Sequence, residues 1–263
     1  MPIALVRGVR HYFRLEGPAD LPWLVLVHPL GADQGIWDRV TPLLTKRLRI
    51  LRYDLRGHGG TDTTAGDCGI EMLSRDLFAM ADAVGARCFS VAGISIGAMV
   101  AMHAAATHGA RLQALVVSHA LARLPAPPDG WDARTAVVLR DGMAPVAARM
   151  VERQFAPAFR ATRDPFIATV HAACALMDPR GYVSASAVLR DADLRPLLPS
   201  IAVPALVVAG QRDPMLPMEG VRAIADAVPG ARFLALDCGH LSPVELPEDF
   251  AREVGDFIIA ALA

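Results

Sequence analysis

Gly93-Ile94-Ser95-Ile96-Gly97 places a serine between two glycines at a spacing suited to nucleophilic chemistry. An apolar run, Cys88-Phe89-Ser90-Val91-Ala92, precedes it, and Ala98-Met99-Val100-Ala101-Met102-His103-Ala104, of helical character, follows. Strand, tight turn and helix in that order read as a nucleophile elbow. The serine of such a turn holds a strained backbone conformation, and bulky side chains two positions away would collide with it. The helix that begins there aims free N–H groups at the reaction centre. The implied chemistry is attack by the Ser95 hydroxyl on an acyl carbon.

A serine hydroxyl is a weak nucleophile at neutral pH, so it needs a base, and the base needs an orienting carboxylate. Beyond an elbow the acid and then the histidine follow along the chain. His240 stands in Leu236-Asp237-Cys238-Gly239-His240-Leu241-Ser242, between the last expected strand and the last expected helix, and is read as the base. Asp213, in Ala209-Gly210-Gln211-Arg212-Asp213-Pro214, follows the preceding strand and is read as the acid. Asp before Pro is also an ordinary helix N-cap. Asp237 competes for the role, but it lies three residues from His240 and still near the strand. The end of the sixth strand offers Ser118-His119-Ala120 and no carboxylate. Oxyanion donors are expected at the N–H of Ile96 and in His28-Pro29-Leu30-Gly31, where Pro29 has no N–H and Leu30 does.

These residues need a scaffold that brings strand ends to one edge. Strands are expected at 3–6, 10–15, 23–27, 49–53, 87–92, 113–117, 205–209 and 232–236. Continuously apolar runs such as Leu24-Val25-Leu26-Val27 suit a mostly parallel sheet covered on both faces. Helices are expected at 37–46, 70–84, 96–108, 218–228 and 247–261, the last opening on Pro, Glu and Asp. The alternation breaks after Leu121. Leu124-Pro125-Ala126-Pro127-Pro128-Asp129-Gly130 is a loop signal, and helical patterns follow at 132–140, 144–155, 165–177 and 183–189. The expected organisation is a core of residues 1–120 and 200–263, with residues 121–199 inserted as a helical lid. Arg56-Gly57-His58-Gly59-Gly60 reads as a structural turn rather than a ligand loop.

Composition narrows the function. At 263 residues and 53% hydrophobic, the chain can bury one large core. A net charge of −1 with no Lys/Arg block argues against nucleic-acid or membrane-surface binding. Cys68, Cys88, Cys174 and Cys238 form no C-x-x-C pair, and the eight histidines show no H-E-x-x-H spacing, so no metal site is expected. Cys88 and Cys238 read as small buried residues near strands. No signal peptide or spanning segment is recognised, so a cytoplasmic protein acting on a small-molecule substrate, with no nucleic-acid or membrane partner and no indication of oligomeric state, is expected.

Over its whole length the chain resembles the α/β-hydrolase superfamily, and within it the 3-oxoadipate enol-lactonases of the β-ketoadipate pathway. The resemblance rests on His28-Pro29-Leu30-Gly31-Ala32-Asp33, Trp37-Asp38 and Leu51-Arg52-Tyr53-Asp54-Leu55-Arg56-Gly57-His58-Gly59. More specific are Phe155-Ala156-Pro157-Ala158-Phe159-Arg160, Met177-Asp178-Pro179-Arg180-Gly181-Tyr182 and Leu189-Arg190-Asp191-Ala192-Asp193-Leu194-Arg195. It implies an α/β-hydrolase fold: an eight-stranded, mostly parallel sheet flanked by helices, with the lid after strand six. It also implies cofactor-free hydrolysis of a small carboxylate-bearing enol-lactone. Trp131 and Arg134 match a lid pattern of the family, with Trp131 as an apolar wall and Arg134 as the carboxylate's partner. Two departures, Ala98 for a second glycine and Pro29 for a small residue, would reshape the pocket. A carboxylesterase, a C–C hydrolase of ring-fission products and a non-catalytic receptor are the alternatives.

Overall fold

A computed structural model describes residues 2–127 and 129–263. Eight strands form one sheet: β1 (Ile3–Val6), β2 (Val9–Glu16), β3 (Trp23–Val27), β4 (Arg49–Tyr53), β5 (Phe89–Ile94), β6 (Leu112–Ser118), β7 (Ala205–Gly210) and β8 (Arg232–Leu236). Their order is β1-β2-β4-β3-β5-β6-β7-β8. The β1–β2 and β2–β4 pairs are antiparallel and the others parallel.

Alternate residues of the central strands face opposite layers. Val25, Val27, Val91 and Val207 belong to one core cluster, while Leu24, Leu26, Ala92 and Val208 belong to the other. Burial on both faces is why these strands are apolar throughout. Helices α2 (Ile70–Ala83), α3 (Ile96–His108) and α9 (Met218–Ala227) contribute to the first layer. On the opposite face lie α1 (Thr41–Leu44) and α11 (Pro247–Leu262), which presents Phe250, Val254 and Ile258. Helix α3 is apolar on nearly every side because it is buried, which removes the usual polar stripe.

Between β6 and β7 the chain forms α4 (Gly130–Asp141), α5 (Ala144–Gln154), α6 (Pro157–Ala161), α7 (Pro165–Ala175) and α8 (Pro179–Asp191). Several bonds fasten this insertion to the sheet's loops. The Cys68 N–H donates to Ser184 O at 3.0 Å, and Ser184 Oγ donates to Gly66 O at 2.6 Å. A Cβ on Gly57 would stand 2.5 Å from Gly181 Cα, so the glycines permit the loop after β4 to touch α8.

Two expectations shift. The helix expected at 37–46 splits into a 3₁₀ turn at Gln34–Trp37 and the short α1, because Pro42 fits only the first turn of a new helix. The fifth strand starts at Phe89, which leaves Cys88 outside it and exposed rather than buried. A further short helix, α10 (Ser242–Glu245), follows β8. No helix among the described residues is long and apolar enough to cross a membrane.

Arg56 is a buried strut: its Nη2 donates to Asp76 Oδ1 of α2 at 2.8 Å, with side chains 8% and 1% exposed. Removing one member of a buried pair strands the other's charge. Asp76→Ala should therefore cost about 3–5 kcal/mol in urea unfolding, and Arg56→Met in that background should restore part of the loss.

Candidate active site

The elbow is as tight as its glycines imply. Ser95 has φ 55° and ψ −119°, a conformation that L residues rarely adopt. Its N–H donates to Ser118 O at 3.0 Å and its carbonyl accepts the Met99 N–H at 3.0 Å, so neighbours on β6 and α3 fix it. A Cβ on Gly93 would come within 2.2 Å of Gly97 O, and one on Gly97 within 2.3 Å of Val27 O. Both obstacles are backbone and cannot move aside. The Ser95 side chain stays partly accessible and makes no hydrogen bond among the described residues, His240 included. Such bonds are commonly long without substrate and tighten when it binds.

Asp213 and His240 do meet. The His240 Nδ1–H donates to Asp213 Oδ2 at 2.8 Å, with both side chains at most 2% exposed. The other carboxylate oxygen accepts the N–H groups of Met215 and Leu216, at 2.8 and 3.3 Å. Asp213 thus also organises the turn after β7, but it does not cap α9, where Pro217 occupies that position. Burial opposes ionisation of Asp213, yet His240 and the nearby His119 outweigh it and hold the carboxyl far below its ordinary range. Asp237 points elsewhere: its side chain is 64% exposed and pairs with Arg212 at 2.7 Å.

His240 is held from behind by groups that its sequence neighbourhood does not announce. Its N–H donates to Gln154 O at 2.8 Å. Glu245 accepts the Gly239 N–H at 3.0 Å and the Ala156 N–H at 3.1 Å, tying the histidine loop to the insertion. Burial pushes the Glu245 carboxyl up. His119 stands with Nδ1 3.5 Å from Asp213 Oδ2 and its ring 5.6 Å from that of His240. His119, Asp213 and His240 offer donor atoms within 4.8 Å of one another, but a metal there would have to displace the Asp213–His240 hydrogen bond.

The loop carrying Leu30 is braced by two other histidines. His28 Nε2 accepts the Leu55 N–H at 2.9 Å, which assigns the proton to Nδ1, donating to Pro29 O at 2.8 Å. By the same logic His58 Nε2 accepts the Gly31 N–H at 3.2 Å, and its Nδ1–H donates to Arg56 O at 3.0 Å. Burial lowers His28 to about 4 and His58 to about 3, so both are neutral. Asp54 accepts the N–H groups of Gln34 and Gly60, each at 2.8 Å, and burial pushes its carboxyl to about 6. No acceptor among the described residues takes the Leu30 or Ile96 N–H, which leaves both for a ligand.

Arg134 donates to the Tyr182 hydroxyl and lies over two rings, 5.5 Å from Trp131 and 5.7 Å from Tyr182. A cavity of about 430 Å³ between α4, α5 and α8 is lined by Arg134, Arg149, Arg153, Val138, Met150 and Tyr182, among others. Trp131 stacks behind Arg134 and does not line it. A Cβ on Gly31 would meet Met150 Cε at 2.7 Å and Tyr182 Cε2 at 3.5 Å, so the cavity adjoins the Leu30 loop.

A family model described as the alpha/beta hydrolase fold matches residues 22–247. The chain is 29% identical to 3-oxoadipate enol-lactonase 1 of Acinetobacter baylyi, over 93% of this chain and 91% of that protein. It is 31% identical to a pimeloyl-[acyl-carrier protein] methyl ester esterase of Aromatoleum aromaticum, over 90% and 98% respectively. The crystal structure of the enol-lactonase from Burkholderia xenovorans superposes with a TM-score of 0.95 at 32% identity, covering 98% of this chain and 100% of that one.

Two outcomes follow from this geometry. Gly97→Ala should prevent the elbow from closing and cost more than about 3 kcal/mol in denaturant unfolding. His58, neutral when folded and of pKa about 6.5 when unfolded, takes up its proton first in the unfolded chain as pH falls. Its contribution is complete above that value and is lost as pH drops towards about 3. The stability advantage of the native protein over His58→Gln should therefore shrink from pH 7 to pH 4.5, by at most about 1.4 kcal/mol per pH unit.

Proposed function

The chain belongs to the alpha/beta hydrolase family, and on that premise we propose that it opens a small enol-lactone bearing a free carboxylate. The reaction proposed is hydrolysis of 3-oxoadipate enol-lactone to 3-oxoadipate, a step of aromatic-compound catabolism. The observation that carries the reading is the strained Ser95 at the sheet edge where Asp213 holds His240. The names of the Acinetobacter and Burkholderia proteins support the substrate.

In this reading Ser95 Oγ attacks the lactone carbonyl and its proton passes to His240 Nε2. Asp213, bonded at Nδ1, stabilises the imidazolium and fixes its tautomer. The N–H groups of Leu30 and Ile96 take the oxyanion, and one such donor contributes about 3 kcal/mol of barrier lowering. The ring C–O bond breaks, the enol oxygen takes the proton from His240, and the enol becomes a ketone. Water, deprotonated by His240, then attacks the acyl-serine and releases the acid. No cofactor enters these steps.

The helices from α4 to α8 form the lid, and the cavity between α4, α5 and α8 takes the substrate's carboxylate. No carboxylate pairs with Arg134, Arg149 or Arg153 among the described residues, which leaves three guanidinium groups for an anion. The cavity's volume also suits a second reading, esterase action on the methyl ester of a longer acyl chain, in keeping with the Aromatoleum relative's name.

Loss of enol-lactone ultraviolet absorbance tests the proposal. Native protein should consume the lactone rapidly and Ser95→Ala on the order of 10⁴-fold more slowly. A protein that hydrolyses methyl esters and leaves the lactone intact would favour the second reading. Replacing Arg149 and Arg153 together by Ala should raise KM about tenfold with kcat little changed, the sign of lost binding without lost chemistry.

A further inference from the structure

His119 is a second imidazole at the acid. It lies at the end of β6 with its ring fully buried. Its backbone has φ 47°, a left-handed conformation that is strained for a histidine. The N–H donated to Val208 O at 2.9 Å holds it there. The ring packs against Gly210, where a Cβ would meet the Gly239 and Cys238 carbonyl oxygens at 2.4 and 2.6 Å and His119 Cε1 at 3.0 Å. Backbone strain on one strand and packing against the next thus place this imidazole beside Asp213.

The hydrogen-bond network decides its tautomer. His119 Nε2 lies 2.9 Å from Ser242 Oγ. Nδ1 is buried, has no hydrogen-bond partner among the described residues and stands 3.5 Å from Asp213 Oδ2, longer than a hydrogen bond. Burial, the largest influence, keeps the ring neutral. Were the proton on Nε2, the Nδ1 lone pair would face a buried carboxylate. With the proton on Nδ1, the N–H dipole points at that carboxylate and Ser242 Oγ–H donates to Nε2. The second arrangement avoids lone pair against carboxylate, keeps the Ser242–His119 hydrogen bond and turns a favourable dipole towards Asp213.

We propose that His119 is a positioning residue whose Nδ1–H acts on Asp213 Oδ2 and sets how strongly Asp213 retains the proton on His240. The proposal rests on the triad reading above. Asp213 Oδ2 then serves two imidazoles, a bonded one on His240 and a dipole on His119. Density drawn towards His119 weakens the stabilisation of protonated His240, so the base is free of its proton at lower pH. The other titratable groups facing the pair are Glu245 of α10 and Cys238 of the loop after β8, whose thiol burial pushes up. Asp237 is turned to solvent and paired with Arg212.

The test is the pH dependence of kcat/KM on an aryl ester such as p-nitrophenyl acetate, which removes lactone specificity from the question. His119→Phe should move the acid limb upward by about half a unit or more. His119→Asn, whose amide nitrogen falls near the position of Nδ1, should restore the native limb. His119→Gln, whose amide falls nearer Nε2 and Ser242, should behave like Phe. A limb identical in all four proteins, or Asn and Gln shifted alike, would overturn the proposal. Nitrogen NMR of the native protein checks it without any variant: a protonated Nδ1 on His119 is expected, and a protonated Nε2 refutes it. Activity surviving in Ser95→Ala would instead remove the triad reading itself, a result separate from either outcome.

Discussion

One turn, five residues long, dictates much of this molecule. Ser95 keeps its side chain at the sheet's edge only while its backbone stays at φ 55° and ψ −119°. That geometry brings Gly93 against Gly97 and Gly97 against Val27, backbone to backbone. Helix α3 must therefore lie directly on β3 and β5, and its apolar surface follows from that burial. The strain, on the order of 1–3 kcal/mol, is held by the two core layers that enclose the sheet.

Neutral histidines are the recurring device around the turn. His28 and His58 each spend one ring nitrogen accepting a backbone N–H and the other donating to a carbonyl, so that they act as rigid two-ended connectors for the Leu30 loop. His119 is a third buried ring, with Nε2 2.9 Å from the Ser242 hydroxyl and Nδ1 facing Asp213 at 3.5 Å. Burial, which would be costly for a charged side chain, is what keeps each of them in the neutral form. His240 alone is set against a bonded carboxylate, the surrounding that suits a group meant to gain and lose a proton.

The strands were legible because two-sided burial writes itself as unbroken apolar runs, and the positions of Ser95, Asp213 and His240 followed from where those runs end. Near Trp37 the pattern misled: a continuous helical rhythm hid Pro42, which starts a new helix. Cys88 looked like strand but lies before it. The choice of Asp213 over Asp237 rested on spacing; the 64% exposure of the Asp237 side chain gives the physical reason. What the sequence concealed are contacts between distant segments. Arg134 reaches Tyr182 across 48 positions, and Glu245 reaches Ala156 across 89. His119 was visible only as a strand end lacking a carboxylate; nothing local reveals that it faces one.

The most direct test of the account is whether Ser95 is an activated nucleophile. Native protein and His240→Ala would be treated with a fluorophosphonate, followed by intact mass and peptide mapping. Rapid stoichiometric labelling of Ser95 in the native protein, and almost none in the variant, is the predicted result. Absence of labelling, or labelling that is as fast without His240, would contradict the account.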